Sequence, residues 1–294
     1  MKNKAFYYAA STTAILLWSA SFIATKFAYT TFSPLMVGFV RFLLATALLG
    51  IVKLLSKNKD RPDKKDMKRI ALSGLLGITL YFAAENIGVG LTTASNASLI
   101  VASFPAITTL FEFFIYKSKP TIPKLIGITL AFGGVAVLTA KSGFGGIEAL
   151  WGNMFLIAAG IVWTFYNFLT RSVAGKYSPT TLSFYQFLFG TIFFIPLVLI
   201  EHKPIGAITT ESVVAMIYLS LGCSVVAFLL YNWGLRRLSA ATSVSLMNLV
   251  PVFGLIFSAL LLKETITLTQ ILGGSIVIVG VILSSITISN KKKG

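Results

Sequence analysis

The stretch YFAAENIGVGLTTASNASLIVASFPAITTL, residues 81–110, decides how this chain is read. It is apolar over two helix lengths, broken at Thr92–Thr93, and it carries one carboxylate, Glu85, inside the apolar run. An ionised side chain at bilayer depth costs several kcal/mol unless it is paired or wetted, so such a residue marks a functional site by default. The stretch also recurs. Shifted by 146 residues, Asn86 falls on Asn232, Gly88 on Gly234 and Pro105 on Pro251. Shifted by 145, Trp18 falls on Trp163, Thr25 on Thr170, Ser33–Pro34 on Ser178–Pro179 and Phe42 on Phe187. Trp, Pro, Asn and Gly seldom align by chance at a nearly constant offset, so the chain is read as a duplication: residues 1–143 and 144–294.

The surroundings place both halves in a membrane. Of the 294 residues 56% are hydrophobic, and the mean hydropathy is +0.85, too apolar for one soluble core. A helical span needs roughly 17–25 apolar residues. Such runs lie near 5–29, 34–55, 70–91, 94–116, 122–140, 151–173, 179–200, 212–235, 240–262 and 267–289. The long polar connection is Lys53–Arg69; the others are a few residues long. The fold expected is all-α and integral to the membrane, with ten transmembrane helices. Five spans per half is an odd number, so the second half enters from the opposite side. Two inverted five-helix repeats around a central cavity follow, the architecture many secondary transporters use for alternating access.

Net charge +16 does not point to nucleic acid. With the N-terminus inside, the alternate inner segments hold 20 of the 25 Lys and Arg, and the outer segments hold only Lys26, Lys141, Lys203 and Lys263. Positive residues in short loops favour the cytoplasm, which puts both termini there, in a multi-pass protein of the inner or plasma membrane. The basic loops then face anionic lipid rather than a nucleic acid. The single cysteine, Cys223, excludes an intrachain disulfide.

The stretch at 81–110 and the stretch NWGLRRLSAATSVSLMNLVPVFGLIFSALLLKETITLTQILGGSIVIVGVIL at 232–283 resemble EamA-type members of the drug/metabolite transporter superfamily. Trp18, the Pro34–Arg41 spacing and the Lys263–Glu264 turn before Gly273–Gly274 fit the same pattern. The resemblance covers essentially the whole chain. It implies ten helices in two inverted repeats around a central cavity, and transport of amino acids, other metabolites or drugs. The first half departs from the second at Ser118, which stands where Glu264 stands, so symmetry gives Glu264 no transport role.

Arg41 lies about 10 Å deep in the second run, at 1.5 Å per residue, and Glu85 lies at a similar depth in the third. The two are expected to pair, either as a static tie between helices or as a working site. In the working reading Glu85 takes a proton or a cation, or Arg41 holds a substrate carboxylate bidentately. The second half has Gln186 and Tyr231 at the matching positions, so this charge is one-sided.

At 100° per residue Trp18 and Ser21 share a helix face, as do Trp163 and Asn167, and Tyr81 and Glu85. Aromatic rings beside amides and hydroxyls hold an organic solute with a polar head, though the same groups also pack ordinary helices together. The substrate-binding candidates are therefore Trp18, Ser21, Tyr81, Glu85, Asn86, Trp163, Asn167, Tyr231, Asn232 and Asn248. Pro105 and Pro251 each remove a backbone donor near mid-helix and predict kinks beside the pathway or simple packing bends. Gly127, Gly133, Gly134, Gly273, Gly274 and Gly280 predict close helix seams, or a weak contact between copies, so a monomer or weak homo-oligomer is expected.

An intramembrane enzyme would need tools the sequence does not hold. Asp60, Asp63 and Asp66 share one inner loop, His202 sits in an outer loop, and no metal-binding, nucleotide-binding or serine-hydrolase motif occurs. No cofactor or metal is expected. The function expected is secondary active transport, the export of a small amphipathic metabolite such as an amino acid by alternating access. The competing reading is proton-coupled import of a small organic solute, with Glu85 as the coupling group.

Overall fold

The structure, a computed structural model, describes residues 4–56, 60–116, 121–140, 146–173, 176–230 and 249–285, and all regular elements among them are helices. In the first half α1 runs Lys4–Ala28, α2 Pro34–Leu55, α3 Lys64–Leu91, α4 Ala94–Ile115 and α5 Ile122–Ala140. In the second, α6 runs Gly146–Arg171, α7 Pro179–Glu201, α8 Thr210–Leu230, α9 Leu249–Leu261 and α10 Leu268–Ser285. Seven of these helices, α1–α4 and α6–α8, are long and apolar enough to cross a membrane, and α5, α9 and α10 are shorter apolar helices. Their outer faces keep large apolar side chains exposed, Leu55 at 80% and Ile200 at 79%, as contact with lipid tails requires.

Local sequence sets the helix ends. α2 and α7 both begin with Ser–Pro, and a proline in the first turn leaves no N–H unbonded there. Ser178 adds its hydroxyl as acceptor for the Thr181 N–H. α3 starts six residues before the expected run, because the Asp63 carboxylate accepts the Asp66 N–H and caps a polar first turn. α4 is interrupted at Ala102–Ser103, one turn before Pro105, whose ring clashes with the carbonyl four residues earlier in a continuous helix. Pro251 lies buried in the first turn of the described part of α9. Sequence reading passed over Pro196, which stands inside α7.

The third helix of each half departs from α geometry at a matching place. α3 is π-helical over Leu75–Leu80 and α8 over Tyr218–Val226. A π segment spaces its hydrogen bonds by five residues and recurs at functional sites.

The main helix contacts recur when the halves are exchanged. α5 lies along α10, α2 along α7, and α4 against α9. α3 packs on α6 as α8 packs on α1, and α4 packs on α6 as α9 packs on α1. Two matched pairs touch each other directly: the Phe42 and Phe187 rings are 5.0 Å apart, and the Thr46 and Thr191 hydroxyls 3.2 Å. The α5–α10 seam is built on glycine. A Cβ on Gly134 would sit 2.7 Å from the Gly273 carbonyl oxygen, and one on Gly280 would collide with the Gly127 and Ala131 backbones.

Candidate functional site

Each end of the bundle is closed by polar contacts between the halves. At one end Asp60 accepts the Ser178 N–H at 2.6 Å and the Thr181 hydroxyl at 2.5 Å, while Lys53 donates to Thr181 at 2.7 Å. Asp66 accepts from Lys176 at 2.7 Å and from the Tyr177 hydroxyl at 2.9 Å. Burial pushes the Asp60 carboxyl up, but the Ser178 and Thr181 donors and the Lys53 charge outweigh it and hold the group below its ordinary value. The hydrogen bond to Asp66 holds the Lys176 ammonium above its ordinary value. At the other end the Gly206 N–H donates to the Thr31 carbonyl at 2.8 Å, the Thr31 hydroxyl to the Ala207 carbonyl at 2.8 Å, and the Ser33 hydroxyl to Glu201.

Between the ends runs an arc of aromatic rings that joins the two matched tryptophans. Trp18 meets Phe228 at 5.4 Å, Phe228 meets Phe187 at 5.6 Å, and Phe187 meets Phe42. Phe42 meets Phe82 at 4.6 Å, Phe82 meets Tyr81 at 4.7 Å, and Tyr81 meets Trp163 at 4.9 Å. Edge and tilted contacts of this kind hold rings in fixed orientations.

Polar groups sit along this arc. The Tyr81 hydroxyl donates to Glu85 at 2.7 Å, and the Asn167 amide donates to the Trp163 carbonyl at 2.8 Å. The Trp18 indole donates to the Cys223 carbonyl at 3.0 Å, inside the π segment of α8. Asn86 is 1% exposed; its carbonyl accepts the Tyr29 hydroxyl at 2.5 Å, while its side-chain Nδ2 has no hydrogen-bond partner among the described residues. Trp18, Ser21, Glu85, Trp163 and Asn167 all keep part of their surface accessible.

Tyr81, Glu85, Trp163 and Asn167 are thus brought into one cluster. Trp18 and Ser21 lie farther along the arc, and Asn86 lies behind it, against α2 at Gly38. Tyr231, Asn232 and Asn248 lie outside the described residues.

Arg41 and Glu85 do not form the direct ion pair expected from their matching depths. The Arg41 Nε donates to the Ser224 hydroxyl at 2.7 Å, and its guanidinium lies 4.6 Å from the Phe82 ring centre and 5.4 Å from that of Phe42. Each charge has found a hydroxyl instead, and an aromatic face shields the cation. Depth along a helix said nothing about rotation around it, which is why the pairing expectation failed.

Sequence reading missed the partners. Ser224 sits in the π segment of α8, and in the other half Gln186, the match of Arg41, donates to Ser73 at 2.9 Å and Thr170 at 3.1 Å. The Arg41–Ser224 and Gln186–Ser73 contacts both run from the second helix of one half to the third helix of the other, so the repeat was the signal that could have found them.

The comparisons with known proteins agree with this arrangement. The EamA-like transporter family matches the chain twice, over residues 6–140 and 150–286. A protein of Archaeoglobus fulgidus named "Uncharacterized transporter" is 30% identical over 275 residues, covering 92% of this chain and 94% of that one. A protein of Streptantibioticus cattleyicolor named "Probable terminal-alkyne amino-acid exporter" is 26% identical over 277 residues, covering 92% and 90%. A solved crystal structure with 18% identity superposes at a TM-score of 0.68 over 96% of both chains, which establishes the shared fold. Two matched domains, the apolar helices and the relatives together make this chain a multi-pass membrane transporter of the EamA-like family.

Proposed function

We propose that the chain is a secondary transporter that exports a small amphipathic metabolite, an amino acid or a close relative, by alternating access. In this reading α5, α9 and α10 complete ten spans, and the halves are inverted repeats enclosing the substrate site. The inversion is supported by chain direction: α1 ends beside Thr31, at the end of the bundle opposite the one where α6 finishes, near Lys176. The end holding Lys53, Lys176 and the basic connection is cytoplasmic, as are both termini.

The observation that carries the proposal is the cluster of Tyr81, Glu85, Trp163 and Asn167 on the arc between the halves. A half-buried carboxylate whose one donor among the described residues is the Tyr81 hydroxyl is poised for a cationic group, the rings take an apolar body, and Arg41 supplies the complementary charge. The name of the Streptantibioticus relative points to the same solute class. Proton-coupled import is the second reading, and it rests on Glu85 alone.

Reconstituted vesicles test the choice. Loaded amino acid should leave without any imposed gradient, and a pH gradient of either sign should leave the rate unchanged in Glu85→Gln. Flux that runs only inward, and only with an inward proton gradient, would establish import instead. No flux of any amphipathic metabolite would sink both.

A further inference from the structure

α2 and α7 lie antiparallel along one another, and each start is met by a carboxylate from the far end of the other. The Ser33 hydroxyl, at the start of α2, donates to Glu201, the last residue of α7. Ser178, at the start of α7, donates its N–H at 2.6 Å and its hydroxyl at 3.2 Å to Asp60, which follows the end of α2. Both starts are Ser–Pro, and both offer a carboxylate the positive end of a helix dipole. Ser33 makes no side-chain cap to its own first turn, so its hydroxyl is free for Glu201. The two carboxylates are not one residue repeated. The offset of 145 puts Ser56 under Glu201 and Ile205 under Asp60. The halves therefore reach the same kind of contact at both ends with residues that the duplication did not supply.

Between these two contacts the helices touch at Phe42 with Phe187 and at Thr46 with Thr191. α2 is 22 residues long, about 33 Å at 1.5 Å per residue, and these residues stand near its middle, as their partners do in α7. Two helices in contact at mid-length can part at one end while the other end stays joined. We infer that Glu201 and Asp60 are positioning residues, a pair of latches on α2 and α7 released in turn, each release exposing the central site to its own end of the bundle. The inference rests on the alternating-access reading above. Neither latch acts alone. Glu264 accepts the Ala94 and Ser95 N–H groups at the Glu201 end, each at 3.0 Å, and Lys176 meets Asp66 at the Asp60 end. Losing one latch therefore shifts the balance between the two states and abolishes neither.

Reporter cysteines at the partly accessible Ser21 and, separately, Asn167 test this, with buried Cys223 as the background thiol. A membrane-impermeant maleimide is applied to each side of oriented proteoliposomes, and the ratio of the two labelling rates is read. Without a latch variant the reporters should label from both sides. Glu201→Ala should raise the rate from the Glu201 side about fivefold relative to the other, the factor that one lost cap implies. Asp60→Ala should move the ratio by a similar factor in the opposite direction, and the double variant should bring it back. A general loss of packing would not produce opposite shifts that cancel. If either carboxylate variant does not fold, Ser33→Ala and Thr181→Val, which each remove one donor and keep both carboxylates, are read in the same way. Ratios that stay unmoved, or that shift the same way in both variants, would overturn the inference while leaving the transport reading intact. Labelling of neither reporter from either side would overturn the transport reading, and the inference with it.

Discussion

The α5–α10 seam and the centre of the bundle treat the duplication in opposite ways. At the seam the halves are equivalent: Gly134 meets Gly273 as Gly280 meets Gly127, and Gly134 and Gly280 each let a backbone approach where a methyl group would not fit. At the centre the halves differ: Arg41 answers to Gln186, and Glu85 to Tyr231. Close packing is a demand the fold makes equally of both halves. A lone cation and a lone carboxylate are demands of something that is not itself symmetric, which is what a bound solute would be.

The comparison breaks most visibly at the seam. Gly134→Leu should cost more than about 3 kcal/mol, because the side chain would overpack the Gly273 and Val277 backbones with nowhere to yield. A thermal melt in detergent checks it, and a variant melting like wild type would show that the seam tolerates separation. Next comes the centre. Arg41→Gln makes this half a copy of the other and removes a charge-assisted hydrogen bond to Ser224. Flux should fall about 10- to 100-fold, and the melting temperature should fall too, since the internal bond to buried Ser224 is worth roughly 1.5–3 kcal/mol. Flux that survives would make Arg41 a structural tie.

A smaller effect is expected at the arc. Trp18→Phe keeps the ring against Phe228 but leaves the Cys223 carbonyl without its indole donor. The cost is about 1 kcal/mol, read as a lower melting temperature, and Trp163→Phe, whose indole nitrogen makes no such contact to a carbonyl among the described residues, should cost less.

The smallest lies at the loops. The folded Asp60 carboxyl titrates below its unfolded value, so the tie to Ser178 and Thr181 contributes fully above the unfolded value of about 4 and is lost as the pH falls through the folded one. Between about pH 6 and about pH 3 the melting temperature of wild type should therefore drop slightly more than that of Asp60→Asn. Equal drops would remove Asp60 from the account.

Much of this frame could be read from the chain. The offset that aligned Trp18 with Trp163 and Phe42 with Phe187 also selected rings that lie on one aromatic arc, and Gly134, Gly273 and Gly280 marked the α5–α10 seam. Gly274 instead packs on Leu99 of α4, and a Cβ on Gly133 would meet nothing within 4 Å among the described residues, because that residue faces away from the seam. Pro105 announced an interruption that falls one turn earlier, where the clashing carbonyl sits. The failures share one cause. Hydropathy reports depth, and a 3.6-residue period reports a face only while the helix keeps that period. The π segments of α3 and α8 break it, and they rotate Ser224 toward Arg41 and present the Cys223 carbonyl to Trp18. The serine at the twin position gives Glu264 no role by symmetry, yet its carboxylate accepts the Ala94 and Ser95 N–H groups and ties the second half to the first turn of α4.

Phe42 with Phe187 and Thr46 with Thr191 are counterparts that touch one another, so they sit where the exchange of halves leaves position unchanged. A point on such a fulcrum is carried nowhere when the two bodies rock about it. A covalent tether placed there should be harmless to turnover, while the same tether between Thr31 and Ala207 should freeze the cycle.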